Sequence, residues 1–303
     1  MRNHRVPRLL ACLAVLAAWL CAALPASASQ LIARDASDVT LEVNDNGMAL
    51  VTYRDSKGTH RVLAWGAVDE EVEFKLDYSG GWGTFRKAVW KNFRNTAESY
   101  DGPPLAWLVG AVQAPDGTYW ALQSWRRMLP NLGYRPWKRE QRAWELRLSH
   151  WSGEAPKLEI WLDWVYGRHF HHLFGRYTYK GKPVYGFDAT RTGVPLDPYG
   201  RNIYLDTRNS AYGSGWKREN SFLTHRPNGN FCYGFYPHRS YYDSSRRPAG
   251  HGERYRATVI GPGVTPDAYW EDDGLGDFDA LVEKQMNALS DQISAGDRQC
   301  KKH

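Results

Sequence analysis

Residues 39–54 read VTLEVNDNGMALVTYR. Apolar and polar side chains alternate on both sides of residues 44–47, whose asparagine, aspartate and glycine are typical of a tight turn. Alternation with a period of two is the pattern of a half-buried strand, and two such runs joined by turn residues predict a β-hairpin. This stretch therefore indicates an antiparallel β-structure.

The same strand pattern recurs along most of the chain, in segments 59–68, 71–78, 105–113, 118–127, 144–151, 157–166, 169–179, 184–189 and 254–260. Many short strands at hairpin spacing predict an all-β fold, a jelly-roll-like β-sandwich of short antiparallel strands. Residues 29–303 are within the size range of a single sandwich domain. Five tryptophans stand at apolar-face positions and are predicted to be core: Trp65, Trp107, Trp120, Trp144 and Trp164.

A C-terminal amphipathic helix is predicted at about residues 277–295. Its apolar side chains fall on one helical stripe, made of Phe278, Leu281, Val282, Met286, Leu289 and Ile293. Asp277 is the predicted N-cap, and Gly296 follows the last turn. We expect this stripe to pack against the sandwich.

Residues 1–28 have the pattern of a secretory signal peptide. Arg2, Arg5 and Arg8 precede an apolar run at 9–24, and small residues then lead to a predicted cleavage after Ala28. An uncleaved anchor is the alternative, because the run with its flanks approaches the ~20 residues that span a bilayer. No later stretch is that apolar, so we expect a secreted, extracellular chain with no stable membrane association.

The leader accounts for part of the positive charge. It carries three of the 39 basic residues and none of the 33 acidic ones, so cleavage lowers the formal charge from +6 to +3. A charge this small gives no electrostatic indication of a nucleic-acid partner.

Cleavage also removes two of the four cysteines and leaves Cys232 and Cys300. In an oxidising compartment this pair predicts one disulfide. It would close a loop of 67 intervening residues and stabilise the fold by about 4 kcal/mol in the entropy model. The alternative is that Cys232 is a nucleophile with His225 or His238 as its base.

The two predicted strands 144–151 and 157–166 carry the first candidate site. If they form a hairpin, Arg147 approaches Trp161, which lies between Glu159 and Asp163 on one sheet face. An indole beside a guanidinium and carboxylates suits a sugar, because its C–H face stacks on the ring and its hydroxyls bond to the charged groups.

Two carboxylates on one face could also hydrolyse a glycosidic bond. Glu159 and Asp163 are the candidate catalytic residues, although i and i+4 positions lie roughly 13 Å apart along a strand. This distance exceeds the separation of a retaining pair, which is about 5–5.5 Å.

Residues 191–253 are rich in aromatic, glycine, proline and asparagine residues and are expected to form ordered binding loops. Trp216, Tyr233 and Tyr236 are the candidate ligand contacts there, since tyrosine and tryptophan combine rigid contact area with a polar tip. Carbohydrate binding is therefore the leading prediction. A glycoside hydrolase and an extracellular structural or protein-binding domain are the alternatives.

A metal site has only weak support. His169 and His171 would share a strand face, and their possible partners are His225, His238, Asp188 and Asp243. The chain lacks a zincin motif and a calcium-loop motif. No metal and no cofactor are predicted.

Overall fold

The computed structural model describes residues 29–66, 68, 74–78, 91–126, 143–166, 170–183, 188–189, 195–196, 203–210, 213–218, 221–225, 230–235 and 252–293. Antiparallel sheets dominate this part of the chain, and a helix follows them near the C-terminus. The prediction of an all-β fold with a C-terminal helix is confirmed.

The first pair of sheets contains the N-terminal strands. One sheet has the order β1, β9, β8, β7, β6, with β1 at Gln30–Arg34, β6 at Glu98–Ser99, β7 at Leu108–Gln113, β8 at Tyr119–Trp125 and β9 at Glu145–Trp151. The other is a meander of β2 at Ser37–Val43, β3 at Ala49–Asp55, β4 at Gly58–Gly66 and β5 at Phe74–Tyr78.

The hairpin predicted at 39–54 is formed by β2 and β3. Oδ1 of Asn44 accepts hydrogen bonds from the backbone N–H groups of Asn46 at 3.1 Å and Met48 at 3.0 Å. Gly47 has a φ of 69°, a conformation that costs glycine little. The turn residues thus fix the register that sends Val51 into the core.

The two sheets of this pair pack face to face. Val51 and Val62 from one sheet meet Trp120, Leu122 and Leu148 from the other, and all five side chains are fully buried. Burial of each contributes about 1.5–3 kcal/mol. The pair is therefore a β-sandwich, which we call the first sandwich.

A second pair of sheets follows. One has the order β17, β18, β11, β10, β21, with β12 also paired to β11; its strands are β10 at Lys157–Tyr166, β11 at Phe170–Tyr179, β12 at Lys182–Pro183, β17 at Ser221–His225, β18 at Asn230–Phe235 and β21 at Gly276–Asp277. The other has the order β16, β15, β19, β20, with β15 at Ile203–Ser210, β16 at Gly213–Arg218, β19 at Arg254–Val259 and β20 at Ala268–Asp272. Strands β13 at Asp188–Ala189 and β14 at Pro195–Leu196 pair with each other.

These two sheets also share a buried core. Leu158, Leu173 and Tyr177 from β10 and β11 pack against Leu205 and Tyr255 from β15 and β19. We call this pair the second sandwich.

The loop at 260–267 joins the two sandwiches. Nε2 of Gln123 donates to the carbonyl oxygen of Asp267 at 3.1 Å, and Oε1 of Gln123 accepts from the Asp267 N–H at 2.8 Å. Nε1 of Trp125 donates to Oδ2 of Asp267 at 2.7 Å. Because Gln123, Trp125 and Asp267 are buried, these hydrogen bonds fix the loop firmly to β8.

Strands occupy the described residues within 191–235, where loops were expected. In β15 four consecutive residues, Tyr204 to Thr207, are buried. Both faces of the strand are covered at this point, so apolar and polar residues do not alternate and the periodicity that reveals a strand is absent.

The helix, α1, spans Ala280–Ile293, and its N-cap differs from the prediction. Oδ1 of Asp279 accepts from the N–H groups of Leu281 at 2.8 Å and Val282 at 3.2 Å. Asp277 cannot be the cap because it belongs to β21, where it pairs with Val165 of β10. Gly296 lies outside the described residues.

The apolar stripe of α1 is less covered than expected. Leu281 is 64% exposed and Leu289 is 37% exposed. Phe278, just before the helix, does pack edge-on against Trp164, with ring centroids 5.6 Å apart. The contact with the sandwich is therefore concentrated at the start of the helix.

Candidate functional site

The predicted hairpin of strands 144–151 and 157–166 does not form. β9 belongs to the first sandwich and β10 to the second, so the intervening residues cross between them. Nε of Arg147 donates to Oε2 of Glu145 at 2.9 Å, and Nη1 donates to the carbonyl oxygen of Ser29 at 2.9 Å. Arg147 thus anchors the first strand and is not paired with Trp161 or Glu159.

A β-bulge at Trp161 reorganises the predicted carboxylate face. Ile160 pairs with Gly175 and Leu162 with Phe174, which leaves Trp161 as the extra residue. One additional residue moves every following side chain of the strand to the opposite face of the sheet. The half-buried Trp161 has a buried Nε1 without a hydrogen-bond partner among the described residues.

The bulge separates Glu159 from Asp163. Glu159 pairs with Arg176, with 2.8 Å between Oε2 and Nη2, and both side chains are about half exposed. Asp163 pairs with Leu173, whose side chain lies in the core of the second sandwich. The two carboxylates therefore occupy opposite faces of β10, contrary to the expectation of a shared face.

Asp163 has an unusual electrostatic environment for a carboxyl group. Burial raises its pKa, and the negative charge of Asp272 raises it further, while the backbone N–H of Gly276 opposes both effects. Its environment therefore favours the protonated form more than water does.

The structure brings together a different set of aromatic side chains. Trp107 lies at their centre: its ring centroid is 6.2 Å from that of Trp144 and 6.5 Å from that of Trp216, with interplanar angles of 67° and 66°. The guanidinium groups of Arg126 and Arg256 lie over these rings. We call these five residues the tryptophan–arginine cluster.

The cluster spans the two sandwiches. Trp107 and Trp144 directly precede β7 and β9, whereas Trp216 and Arg256 lie on β16 and β19. Nε1 of Trp107 donates to Oγ1 of Thr258 on β19 at 3.2 Å. The indole is therefore hydrogen-bonded across the boundary between the two halves.

The backbone of Trp107 is strained. Its φ of 57° lies in the left-handed region, which costs a bulky residue about 1–3 kcal/mol. The carbonyl oxygen of Trp107 accepts from the N–H of Ser124 at 2.9 Å, which holds this conformation against β8. Strain of this kind is found where a side chain has to be held in one orientation.

Arg256 contacts two indoles. Its Cζ lies 4.5 Å from the ring centroid of Trp107 and 4.6 Å from that of Trp216. Its Nε donates to Oε2 of Glu271 at 2.6 Å, and Nη2 of Arg254 is 2.8 Å from Oε1 of the same carboxylate. Cation–π contacts and ion pairing therefore act on the same guanidinium.

A cleft of about 380 Å³ adjoins the cluster. Its lining includes Pro104, Lys157, Glu159, Tyr269, Trp270 and Glu271. Tyr269 links the two features, because its ring centroid is 5.9 Å from Cζ of Arg256. Aromatic surfaces thus lie next to carboxylate, ammonium and guanidinium groups, a combination that can stack against and hydrogen-bond to a polyhydroxylated ligand.

The sequence candidates are distributed unevenly over this surface. Trp216 belongs to the cluster and Glu159 lines the cleft. Tyr233 lies on β18 in register with Leu173 and Leu223, away from these elements in the sheet order. Tyr236 lies outside the described residues.

The histidine and cysteine predictions stay untested. His171 is in register with Val165 and Phe235, and Cys232 with Phe174 and Thr224. His169 and Cys300 lie outside the described residues. Within the described ranges, no three histidine, cysteine or acidic side chains are arranged to hold a metal ion.

Most of the cluster is not evident from the sequence. Trp120 and Trp164 are buried as predicted, but Trp144 is 39% exposed and Trp107 is partly exposed. The alternation of Arg256 with the buried Tyr255, Ala257 and Val259 marks an outward-facing arginine on β19. No local pattern indicates that Trp107, from a distant strand, covers it.

No protein-family model, curated protein or solved structure matches the chain. In the part of the chain that the structure describes, no helix has both the length and the apolar character needed to cross a bilayer.

Proposed function

We propose that this chain is an exported carbohydrate-binding protein and that the tryptophan–arginine cluster, with the adjoining cleft, is its binding surface. The proposal of export rests on the signal-peptide pattern of residues 1–28. The proposal of carbohydrate binding rests chiefly on the three neighbouring indoles, of which Trp144 is 39% exposed.

The physical argument concerns what a sugar offers and what this surface supplies. A pyranose presents a C–H face that stacks on an aromatic ring, and hydroxyl groups that need both donors and acceptors. Trp144 and Tyr269 supply ring surface, while Glu159, Glu271 and Lys157 supply acceptors and donors in the cleft. The cleft volume of about 380 Å³ falls within the range of small-ligand sites, about 300–1,000 Å³.

The ion pairs of the cleft carboxylates favour binding over glycoside cleavage as the function. Hydrolysis requires one carboxyl group that donates a proton to the leaving oxygen. Glu159 is ion-paired with Arg176, and Glu271 with Arg254 and Arg256. Both carboxylates of the cleft are thus already bound to arginine side chains.

Calorimetric titration with a panel of short neutral and acidic oligosaccharides tests the proposal. We expect saturable binding to at least one, with no release of reducing ends on prolonged incubation. Trp144→Ala should weaken this binding about tenfold, because one stacking platform is lost. Trp65→Ala is the matched control, since Trp65 is a half-exposed tryptophan on β4 of the meander.

Three outcomes would contradict the proposal in different ways. Failure to bind any oligosaccharide would favour the structural or protein-binding alternative. Release of reducing ends would favour a glycoside hydrolase. Equal losses for the Trp144 and Trp65 variants, with both folded by circular dichroism, would reject the cluster as the site.

A further inference from the structure

An exposed guanidinium is held at the edge of the cluster. Arg126 follows the last residue of β8, and its Cζ lies 5.1 Å from the ring centroid of Trp144. Among the described residues no carboxylate forms an ion pair with it. From this arrangement we infer that the bound glycan is anionic, with carboxylate or sulfate groups, and that Arg126 binds one of these groups. This inference rests on the proposed carbohydrate-binding function.

A cation–π contact leaves the hydrogen-bonding capacity of a guanidinium intact. The contact is an electrostatic attraction to the indole face and occupies none of the five N–H donors of the group with a hydrogen bond. The indole also restricts the guanidinium to the neighbourhood of the ring, so less side-chain freedom is lost when an anion binds. Arg126 beside Trp144 is thus a donor set held at an exposed position.

Arg256 makes the same kind of contact with indole and also binds a carboxylate of the protein. Its guanidinium makes cation–π contacts with Trp107 and Trp216 and at the same time binds Glu271 through Nε and Nη2, both 2.6 Å from Oε2. The cluster therefore already contains one arginine that binds an oxyanion while it contacts indole. Arg126 has the corresponding indole contact, and its in-plane donors remain available for an external oxyanion.

Nearby carboxylates are already engaged and do not compete for Arg126. Oε1 of Glu145 is 3.3 Å from Nη2 of Arg34, and its Oε2 is 2.8 Å from Nη2 of Arg147. Oδ1 of Asp35 accepts the backbone N–H of Trp144 at 2.9 Å. Of the carboxylates that the structure describes, the two next to Trp144, Glu145 and Asp35, are thus ion-paired or hydrogen-bonded within the protein.

The test compares one oligosaccharide in charged and neutral forms. The probes are a short oligogalacturonate, its fully methyl-esterified form and a sulfated oligosaccharide of similar length, titrated into the mature chain. We expect the uronate to bind about tenfold or more tightly than its ester. Arg126→Gln should weaken uronate binding about tenfold and so abolish this preference.

A matched control separates a specific contact from net charge. Arg54→Gln removes the same charge from the β2–β3 hairpin, where Arg54 is 63% exposed, and should keep the full preference for the uronate. The affinity of the unaltered chain for the uronate should also fall more steeply with salt than that of the Arg126→Gln variant.

Each result has a defined meaning. Equal binding of uronate and ester by the unaltered chain would overturn the inference of an anionic ligand and leave the proposed function standing. Equal losses in the Arg126 and Arg54 variants would overturn the role of Arg126. Failure of every oligosaccharide, neutral or charged, would overturn both proposals. Preference for the sulfated probe over the uronate would support the anion site and identify sulfate as its source.

Discussion

Cζ of Arg256 lies 4.5 Å from the ring centroid of Trp107, and this contact joins the second sandwich to the first. Arg256→Ala removes this guanidinium and leaves Glu271, whose side chain is only 14% exposed, with fewer partners. We expect a loss of about 2–4 kcal/mol in the free energy of unfolding, measured by urea denaturation.

A surface ion pair provides the control for that measurement. Arg176 and Glu159 are 42% and 48% exposed, so Arg176→Ala should cost less than about 1 kcal/mol. Similar losses for the two arginine variants would show that Arg256 contributes no more than a surface charge.

The carboxyl group of Asp163 should make stability depend on pH. Burial, and then Asp272, raise its pKa in the folded chain above the ordinary value of 3.8. The folded state therefore binds this proton more tightly than the unfolded state. As pH rises above the ordinary pKa of 3.8, ionisation of Asp163 lowers the free energy of unfolding, and the loss is complete above the pKa of the folded chain.

Asp163→Asn tests this directly, because asparagine stays neutral and its side-chain oxygen can still accept the Gly276 N–H. We expect the variant to be more stable than the unaltered chain near neutral pH. The gain should vanish below about pH 3, where Asp163 is protonated. Urea denaturation at both pH values provides the measurement, and a gain that is equal at both would contradict the assigned cause.

Two indole N–H groups with different surroundings make a matched pair. Nε1 of Trp125 donates to Asp267 at 2.7 Å, whereas the buried Nε1 of Trp161 has no partner among the described residues. Phenylalanine at either position removes the donor and keeps most of the ring. Trp125→Phe should destabilise the fold by about 1–3 kcal/mol more than Trp161→Phe, by thermal or urea denaturation.

The predicted Cys232–Cys300 disulfide can be tested on residues 29–303, the predicted mature chain. Denatured without reductant, the protein should show no thiol that reacts with an alkylating reagent, and two should appear after reduction. One or two thiols reactive before reduction would exclude the bridge. Mass spectrometry after alkylation gives the count.

Local patterns predicted local structure well in this chain. The turn residues around Asn44 and the alternation on both sides of it are sufficient to predict the β2–β3 hairpin, because the interactions that form it lie within the same stretch. The helix was also predicted, and its N-cap was misplaced by two residues because Asp277 and Asp279 are both suitable cap residues. Pairing of Asp277 with Val165 in β10 decides between them.

Interactions between distant segments could not be predicted from the sequence. The bulge at Trp161 follows from the register between β10 and β11, and without it Glu159 and Asp163 would share a face. Likewise the sequence predicts Trp107 and Trp144 as core residues, because their apolar character does not indicate which other strands lie next to them in the fold. The cluster forms where strands of the two sandwiches meet. The hydrophobic periodicity of one strand does not indicate which strands of another sheet will lie beside it.

The loop at 260–267 has a consequence for how the molecule unfolds. Separation of the two sandwiches would break the hydrogen bonds that join Gln123 and Trp125 to Asp267, and each of these contributes about 0.5–1.5 kcal/mol to stability. A partly unfolded state with only one sandwich intact is disfavoured by this cost. The two halves should therefore melt together in a single transition, and the tryptophans assembled at their boundary should retain their arrangement until the whole fold is lost.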